Sequence, residues 1–342
     1  MKCFNLRYYL LAVLCVLVTS CTSDGAMDDF PDNGALVAGA HISFVINFPT
    51  SSSTRSGETV GDELEKERYI DDVHVYTFQD DKFVEEIQYL MIDNANGVAN
   101  RIIDGKLLET YSGDMPMEFV VIANAGKVGV GPIEMDKSKT KADLYKQLIF
   151  IYDKEQRDWS EYIPMWGLGV IQQVKAGDDN FGELELIRAV AKVNVTVNGG
   201  VGLENFEITE IRLHGYNTKG YCAPTQAEGP SIPSASEIAS DYLTSGVLSG
   251  GLGNKFENKF YIPEHKNVGV QAERKVYLTI QAKVRDVAKT YAVQFSTGER
   301  AYDILRNNLY VLNITSVDEV TASLNYEVAK WEEINVDVPS FD

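Results

Sequence analysis

The chain has 342 residues, with 50 acids against 31 bases and a formal net charge of −19. An acidic surface without clusters of Lys or Arg excludes the phosphate-neutralising chemistry of nucleic-acid and anionic-lipid binding. The length fits two domains of ordinary size rather than one.

At the N-terminus, Lys2 and Arg7 accompany the apolar run YLLAVLCVLV, which is too short to span a bilayer comfortably. The run ends in VTSC, with the small residues Thr19 and Ser20 directly before Cys21. This resembles a lipoprotein signal over residues 1–20, cut between Ser20 and Cys21, whose cysteine then carries acyl chains. At ~0.8 kcal/mol per buried CH2, several chains on one residue make a lasting anchor. Thr22 after the cysteine implies, by the same analogy, the outer membrane. Residues 21–40 hold acids, Gly and Pro with little to pack, and read as a flexible tether. Of the four cysteines, Cys3 and Cys15 lie in the signal and Cys21 is its end. No disulfide framework is expected, and Cys222 reads as a small buried residue.

From residue 41 the chain reads as mostly β. Runs rich in Val, Ile, Tyr and Phe recur between Gly, Asp, Asn and Pro clusters: HISFVINF (41–48), VHVYTF (73–78), FVEEIQYLMI (83–92), MEFVVIANA (117–125), VAKVNVTVNG (190–199) and FEITEIRLHGY (206–216), then KFYIPE, KVYLTIQAKV, KTYAVQFS and LYVLNITSV. In VNVTVN, Val193, Val195 and Val197 share one face and Asn194, Thr196 and Asn198 the other, as in an antiparallel sheet packed on one side. Helical signals are few. TKADLYKQLIFIY (140–152) sets Leu144, Leu148 and Ile151 at helical spacing, and SASEIASDYL (234–243) reads as a short helix. The expected architecture is two β-sandwich domains in tandem, 41–187 and 188–342, with the boundary in LIRAVAKVNVTVN. Between the first two strands lies FPTSSSTRSGETVGDELEKERYI (48–70), long, polar and bearing Arg55, Lys66 and Arg68.

The chain shows no catalytic constellation. His41, His74, His214 and His265 are too far apart in sequence for zinc-ligand spacing, and no Ser lies in G-x-S-x-G. AGKVGVG (125–131) lacks the G-x-x-x-x-G-K spacing and reads as a turn. GDDNFGE (177–183) departs from the EF-hand pattern and reads as a solvated hairpin tip. No metal or cofactor and no enzymatic activity is expected.

IDDVHVYTFQDDKF, FVVIANAG, IPMWG, RAVAKVNVTV, FYIPEH, LRNNLYVLNIT and the final LNYEVAKWEEINVDV follow one another in the order found in the fimbrillins, or type V pilins, of anaerobic Gram-negative bacteria, which the chain resembles over nearly its whole length. In IPMWG, Met165 and Trp166 read as large apolar groups packing in the core or at the junction between domains.

The resemblance implies tandem transthyretin-like sandwiches and a structural role in surface fimbriae. It also implies export as an outer-membrane lipoprotein, cleavage by an arginine-specific protease in the loop after the first strand, and polymerisation with other fimbrial subunits by donor-strand exchange. The strand lost would be 41–48, and the processing loop 49–68. Arg55, flanked by small residues, is the better cleavage site; Arg68, ringed by acids and abutting the next strand, is the alternative. The donor would be the tail 321–342, with Leu324, Tyr326 and Val328 and then Ile334, Val336 and Val338 alternating; the competing reading makes that tail a strand of its own domain. A shaft subunit is the primary expectation, with an anchor or tip subunit, or a surface lipoprotein binding glycans or host proteins, as alternatives.

Overall fold

The computed structural model describes residues 39–48, 64–93, 97–98, 100–109, 111–153, 158–177, 179–200, 202–297, 300–317 and 322–330. The first ten strands are β1 (His41–Asn47), β2 (Val73–Gln79), β3 (Lys82–Glu86), β4 (Gln88–Ile92), β5 (Asn100–Lys106), β6 (Met117–Ala123), β7 (Ile149–Ile151), β8 (Met165–Ile171), β9 (Asp179–Glu185) and β10 (Ile187–Arg188). Apart from β7, they build a four-stranded sheet, β4-β5-β1-β9, facing a five-stranded sheet, β10-β8-β6-β2-β3. The alternation of HISFVIN supplies the reason: Ile42, Phe44 and Ile46 point inward and are buried, as is Phe48 just beyond. They meet Phe119 and Val121 of β6, Met165 of β8 and Leu184 of β9 in one apolar cluster.

β6 is apolar on both faces because both are covered. Phe119 and Val121 belong to this first core, while Val120 and Ile122 belong to a second cluster that continues into the C-terminal half. FVEEIQYLMI, a single run in the sequence, becomes two strands in different sheets. It turns the corner at buried Ile87, and Tyr89 sits at φ 57 beyond it. In IPMWG, Met165 and Trp166 open β8; Met165 is buried in the first core and Trp166 packs against the second.

The remaining strands are β11 (Val190–Val197), β12 (Phe206–His214), β13 (Lys219–Tyr221), β14 (Tyr242–Thr244), β15 (Gly250–Gly251), β16 (Lys255–Pro263), β17 (Tyr277–Val284), β18 (Val287–Gln294), β19 (Ser296–Thr297), β20 (Arg300–Ala301), β21 (Asn308–Val317) and β22 (Ala322–Lys330). Sheets β16-β11-β21-β22 and β14-β12-β17-β18 enclose the second core, in which Val193, Leu213, Leu278, Ile280 and Leu312 meet. The fold is thus mostly β and of tandem-sandwich type, and the described residues group into one compact unit.

Several expectations change. β11 is not packed on one side only: all eight of its residues are buried. It lies antiparallel to β16 but parallel to β21, just as β1 is parallel to β9. Its polar face is covered and hydrogen-bonded; Asn194 Oδ1, for example, accepts from the Asn258 amide at 3.0 Å. SASEIASDYL forms no helix, because chain 216–218 takes its backbone groups. Thr218 N donates to Glu237 O and Ala239 N to Tyr216 O, at 2.9 and 2.8 Å. Tertiary pairing overrides a weak propensity here.

Among the described residues, α-helix is confined to α1 (Lys141–Gln147), closed at its start by a reciprocal Thr140–Asp143 capping box. Leu144 and Leu148 are buried, but the third position of the expected stripe, Ile151, is exposed because the chain has already entered β7.

Phe44 has its ring centroid 4.7 Å from that of Phe119 and lies where any Cβ on Gly182 would strike it. Phe44→Ala should therefore cost about 3–5 kcal/mol in urea-unfolding free energy. Val45→Ala, on the outer face of the same strand, should stay within about 0.5 kcal/mol.

Candidate assembly site

The residues singled out for assembly fall at three places: β1, the segment that follows residues 49–63, and the C-terminal strand. β1 is an inner strand, paired over all seven residues with β5 on one edge and β9 on the other. Its alternate side chains fill a socket whose floor is shaped by missing side chains. Beyond Gly182, Gly169 of β8 also brings its backbone against the Phe44 ring, where a Cβ would come within 2.9 Å. Asn180 holds the near end of β1 by donating to the His41 carbonyl at 3.0 Å. Cys21, Ser20 and Arg55 lie outside the described residues.

Arg68 is described, and its surroundings are tightly fixed. It ends a 3-10 turn, Glu65–Arg68, whose Glu67 is completely buried. The Glu67 carboxylate accepts from Lys192 Nζ at 2.8 Å and from the Tyr261 hydroxyl through Oε1, and from the Leu64 amide at 3.1 Å through Oε2. Its backbone carbonyl accepts from Arg188 Nε at 3.3 Å. Lys192 of β11 is likewise fully buried, and desolvation with the adjacent Glu67 charge pushes the Tyr261 hydroxyl far above the usual phenol range. On the other side of Arg68, Asn124 donates to the carbonyls of Tyr69 and Ile163, at 2.8 Å each, and accepts from the Asp71 amide at 2.9 Å. The chain at Arg68–Tyr69 is therefore held on both sides.

The C-terminal tail appears as β22, the edge strand of its own sheet. Leu324, Tyr326 and Val328 are set opposite Ile314, Leu312 and Tyr310 of β21. Ile334, Val336 and Val338 lie outside the described residues.

Sequence reading did not find the charges that join these places. Glu67 in EKER has the pattern of a solvated face, and the signal available was Lys192, a lysine set into an otherwise apolar or short-chain strand. It also missed Glu264 and Arg306, which bring FYIPEH and LRNNLYVLNIT together. Arg306 donates to Glu264 Oε2 through Nη2 and Nε at 2.6 and 3.0 Å, and to the Cys222 carbonyl through Nη1 at 2.8 Å. Cys222 is fully buried, and desolvation pushes its thiol up to about 12, which removes thiolate reactivity. Among the described residues no group of three or more His, Cys, Asp or Glu is placed to hold a metal ion. Nor is any helix among them long and apolar enough to cross a membrane.

Removing one member of a buried ion pair strands the other, at about 3–5 kcal/mol, whereas replacing both by apolar residues is often neutral. Lys192→Ala should lower unfolding free energy by that amount, and Glu67→Leu combined with Lys192→Met should recover most of it. With an arginine-specific protease, the wild type should resist cutting at Arg68, and Lys192→Ala should expose that bond; peptide mass mapping reads both.

Solved structures share this architecture. One, from Parabacteroides distasonis ATCC 8503, is described as a candidate cell adhesion protein; it is 15% identical, with 86% of this chain and 98% of that one covered, at a TM-score of 0.53. The tip fimbrial protein Mfa3 from Porphyromonas gingivalis, with C-terminal truncation, is 14% identical over 85% and 100% at 0.51. A fimbrial assembly protein from Parabacteroides distasonis is 13% identical over 86% and 96% at 0.50. At such identities the likeness establishes the fold. A comparison with curated proteins finds no match. The sequence itself matches, over residues 41–337, the family described as fimbrillin-A associated anchor proteins Mfa1 and Mfa2, and the chain belongs to that family of fimbrial proteins.

Proposed function

We propose that this chain is a structural subunit of a surface fimbrium, exported as an outer-membrane lipoprotein through Cys21 and occupying the anchor position. The observation that carries the reading is the place of β1. In sequence it lies between Cys21 and the segment 49–63, and it is bonded along both edges. Tension on a lipidated N-terminus would load β1 lengthwise, so its two ladders would share the force rather than open one bond at a time. An uncut chain would therefore stay tied to the membrane covalently, and a cut after β1 would leave lipid and body joined only by the non-covalent contacts of that strand. The family's description as anchor proteins supports the same position.

A second reading, the shaft subunit, is favoured by the shape of the socket. Cleavage at Arg55 by an arginine-specific protease would leave β1 held only by non-covalent contacts. Burial of Ile42, Phe44, Ile46 and Phe48, at roughly 1.5–3 kcal/mol each, still opposes its departure. Release would then need an incoming strand of the same alternation, such as a neighbour's tail bearing Leu324, Tyr326 and Val328 or Ile334, Val336 and Val338. The pinning of Tyr69 and Asp71 by Asn124 favours Arg55 over Arg68 as the site.

Mass analysis of the N-terminus, on protein taken from surface fibres, tests both. A lipid-bearing Cys21 supports the anchor; a start at Ser56 overturns it in favour of the shaft. Cys21→Ser should move the protein out of the membrane fraction while leaving its fold intact. Deleting residues 321–342 should abolish polymerisation if the tail is donated, and unchanged fibres would reject that role.

A further inference from the structure

The outer face of the sheet β14-β12-β17-β18 carries a row of rings. Tyr242 is paired with His214, His214 with Tyr277, and Tyr277 with Gln294, one residue from each strand. The His214 and Tyr277 rings lie nearly parallel, 8° between planes and 4.7 Å between centroids, and His214 is 5.4 Å from Tyr242. Arg212, one row along, sits 4.5 Å over the Tyr242 ring and is itself neutralised by Glu210 at 2.7 Å. Burial and the neighbouring Arg212 draw the His214 pKa down, so its ring is neutral at physiological pH. Tyr242 remains 37% exposed.

The row leads to a cavity. Lys275 is extended, at φ −89 and ψ 148, and Val276 after it is buried, so Lys275 shares the outer face with Tyr277, about 6.6 Å along the strand. Lys275 helps line a cavity of about 530 Å³ together with Val268, Arg300, Tyr302 and Asp303. The Asp303 carboxylate is already engaged, by the amides of Asn267 and Val268 at 2.8 Å each and by Lys266 at 3.1 Å. The Arg300 guanidinium lies 5.9 Å from the Tyr302 ring centroid. Among the described residues, neither Lys275 nor Arg300 has a carboxylate at ion-pair distance. In a chain with 50 acids to 31 bases, two cations left unpaired around one cavity are an attractive site for an external anion.

We propose that this face binds an acidic glycan: a sugar ring packs its C–H face against the Tyr242–His214–Tyr277 row, and the carboxylate or sulfate it bears enters the cavity between Lys275 and Arg300. Aromatic rings supply apolar contact with little rotamer entropy to lose, and Gln294 offers a hydrogen-bonding amide on the same face, while the Thr279 hydroxyl pairs with His214 Nε2 at 2.9 Å. The remainder of the surface is net negative and repels a long polyanion within a Debye length of about 8 Å. The site therefore suits a short acidic saccharide rather than nucleic acid or an extended sulfated polymer.

The inference is independent of the subunit's place in a fibre, because binding is read on the purified full chain. Calorimetric titration with sialyllactose, a sulfated lactose and plain lactose tests it. One or both acidic sugars should bind about tenfold or more tighter than lactose, and which of them does so identifies the acidic group. Lys275→Gln combined with Arg300→Gln should remove that advantage, and Tyr277→Ala should weaken all binding, with thermal midpoints checked to show that each variant folds. His74→Ala, on another sheet, should change nothing. The proposal is overturned if neither acidic sugar outbinds lactose, or if the Lys275/Arg300 variant binds as the wild type does.

Discussion

The buried carboxylate of Glu67 is the contact on which the arrangement of the chain turns. It sits on a short 3-10 turn just after the long segment that follows β1, yet its partners, Lys192 and Tyr261, belong to strands of the second sandwich. Arg188, at the passage from one sandwich to the next, holds the same residue by its carbonyl. A charge removed from water is tolerated only where its partners are fixed, so this network admits one placement of the turn.

β1 draws its importance from a different force. It is held by apolar burial and two backbone ladders, neither of which involves charge. Its side chains match a socket in which Gly169 and Gly182 leave room for Phe44. A strand so enclosed is hard to lose and, once lost, leaves a groove whose pattern specifies what can replace it. On the proposed function, the same geometry would serve anchorage in an uncut chain and strand exchange in a cut one. On that reading the state of the N-terminus, rather than the fold, would separate an anchor from a shaft subunit.

Much of this fold was legible in the residues. Strict alternation announced β1, and the Val193–Val195–Val197 face announced the inner side of β11. Runs bounded by Gly and Asn marked most of the other strands. The reading failed where tertiary contacts overrode local pattern. FVEEIQYLMI bends between sheets at Ile87, and SASEIASDYL loses its backbone groups to a neighbouring segment. Gly167 and Gly169 of β8 allow close approach between sheets, a requirement that a linear pattern does not carry.

The sequence by itself determined the β class, the alternation of β1 and the motif order that places the chain among fimbrial proteins, because these depend on residue type and short-range period. Only the tertiary structure decided that β1 and β11 have parallel partners, that Arg68 is locked in place, that the tail through Lys330 pairs with β21, and that Glu67 and Lys192, 125 residues apart, share one buried site. Each of these is a pairing between distant segments, and pairing energy depends on which surfaces meet after collapse, which no local spacing encodes.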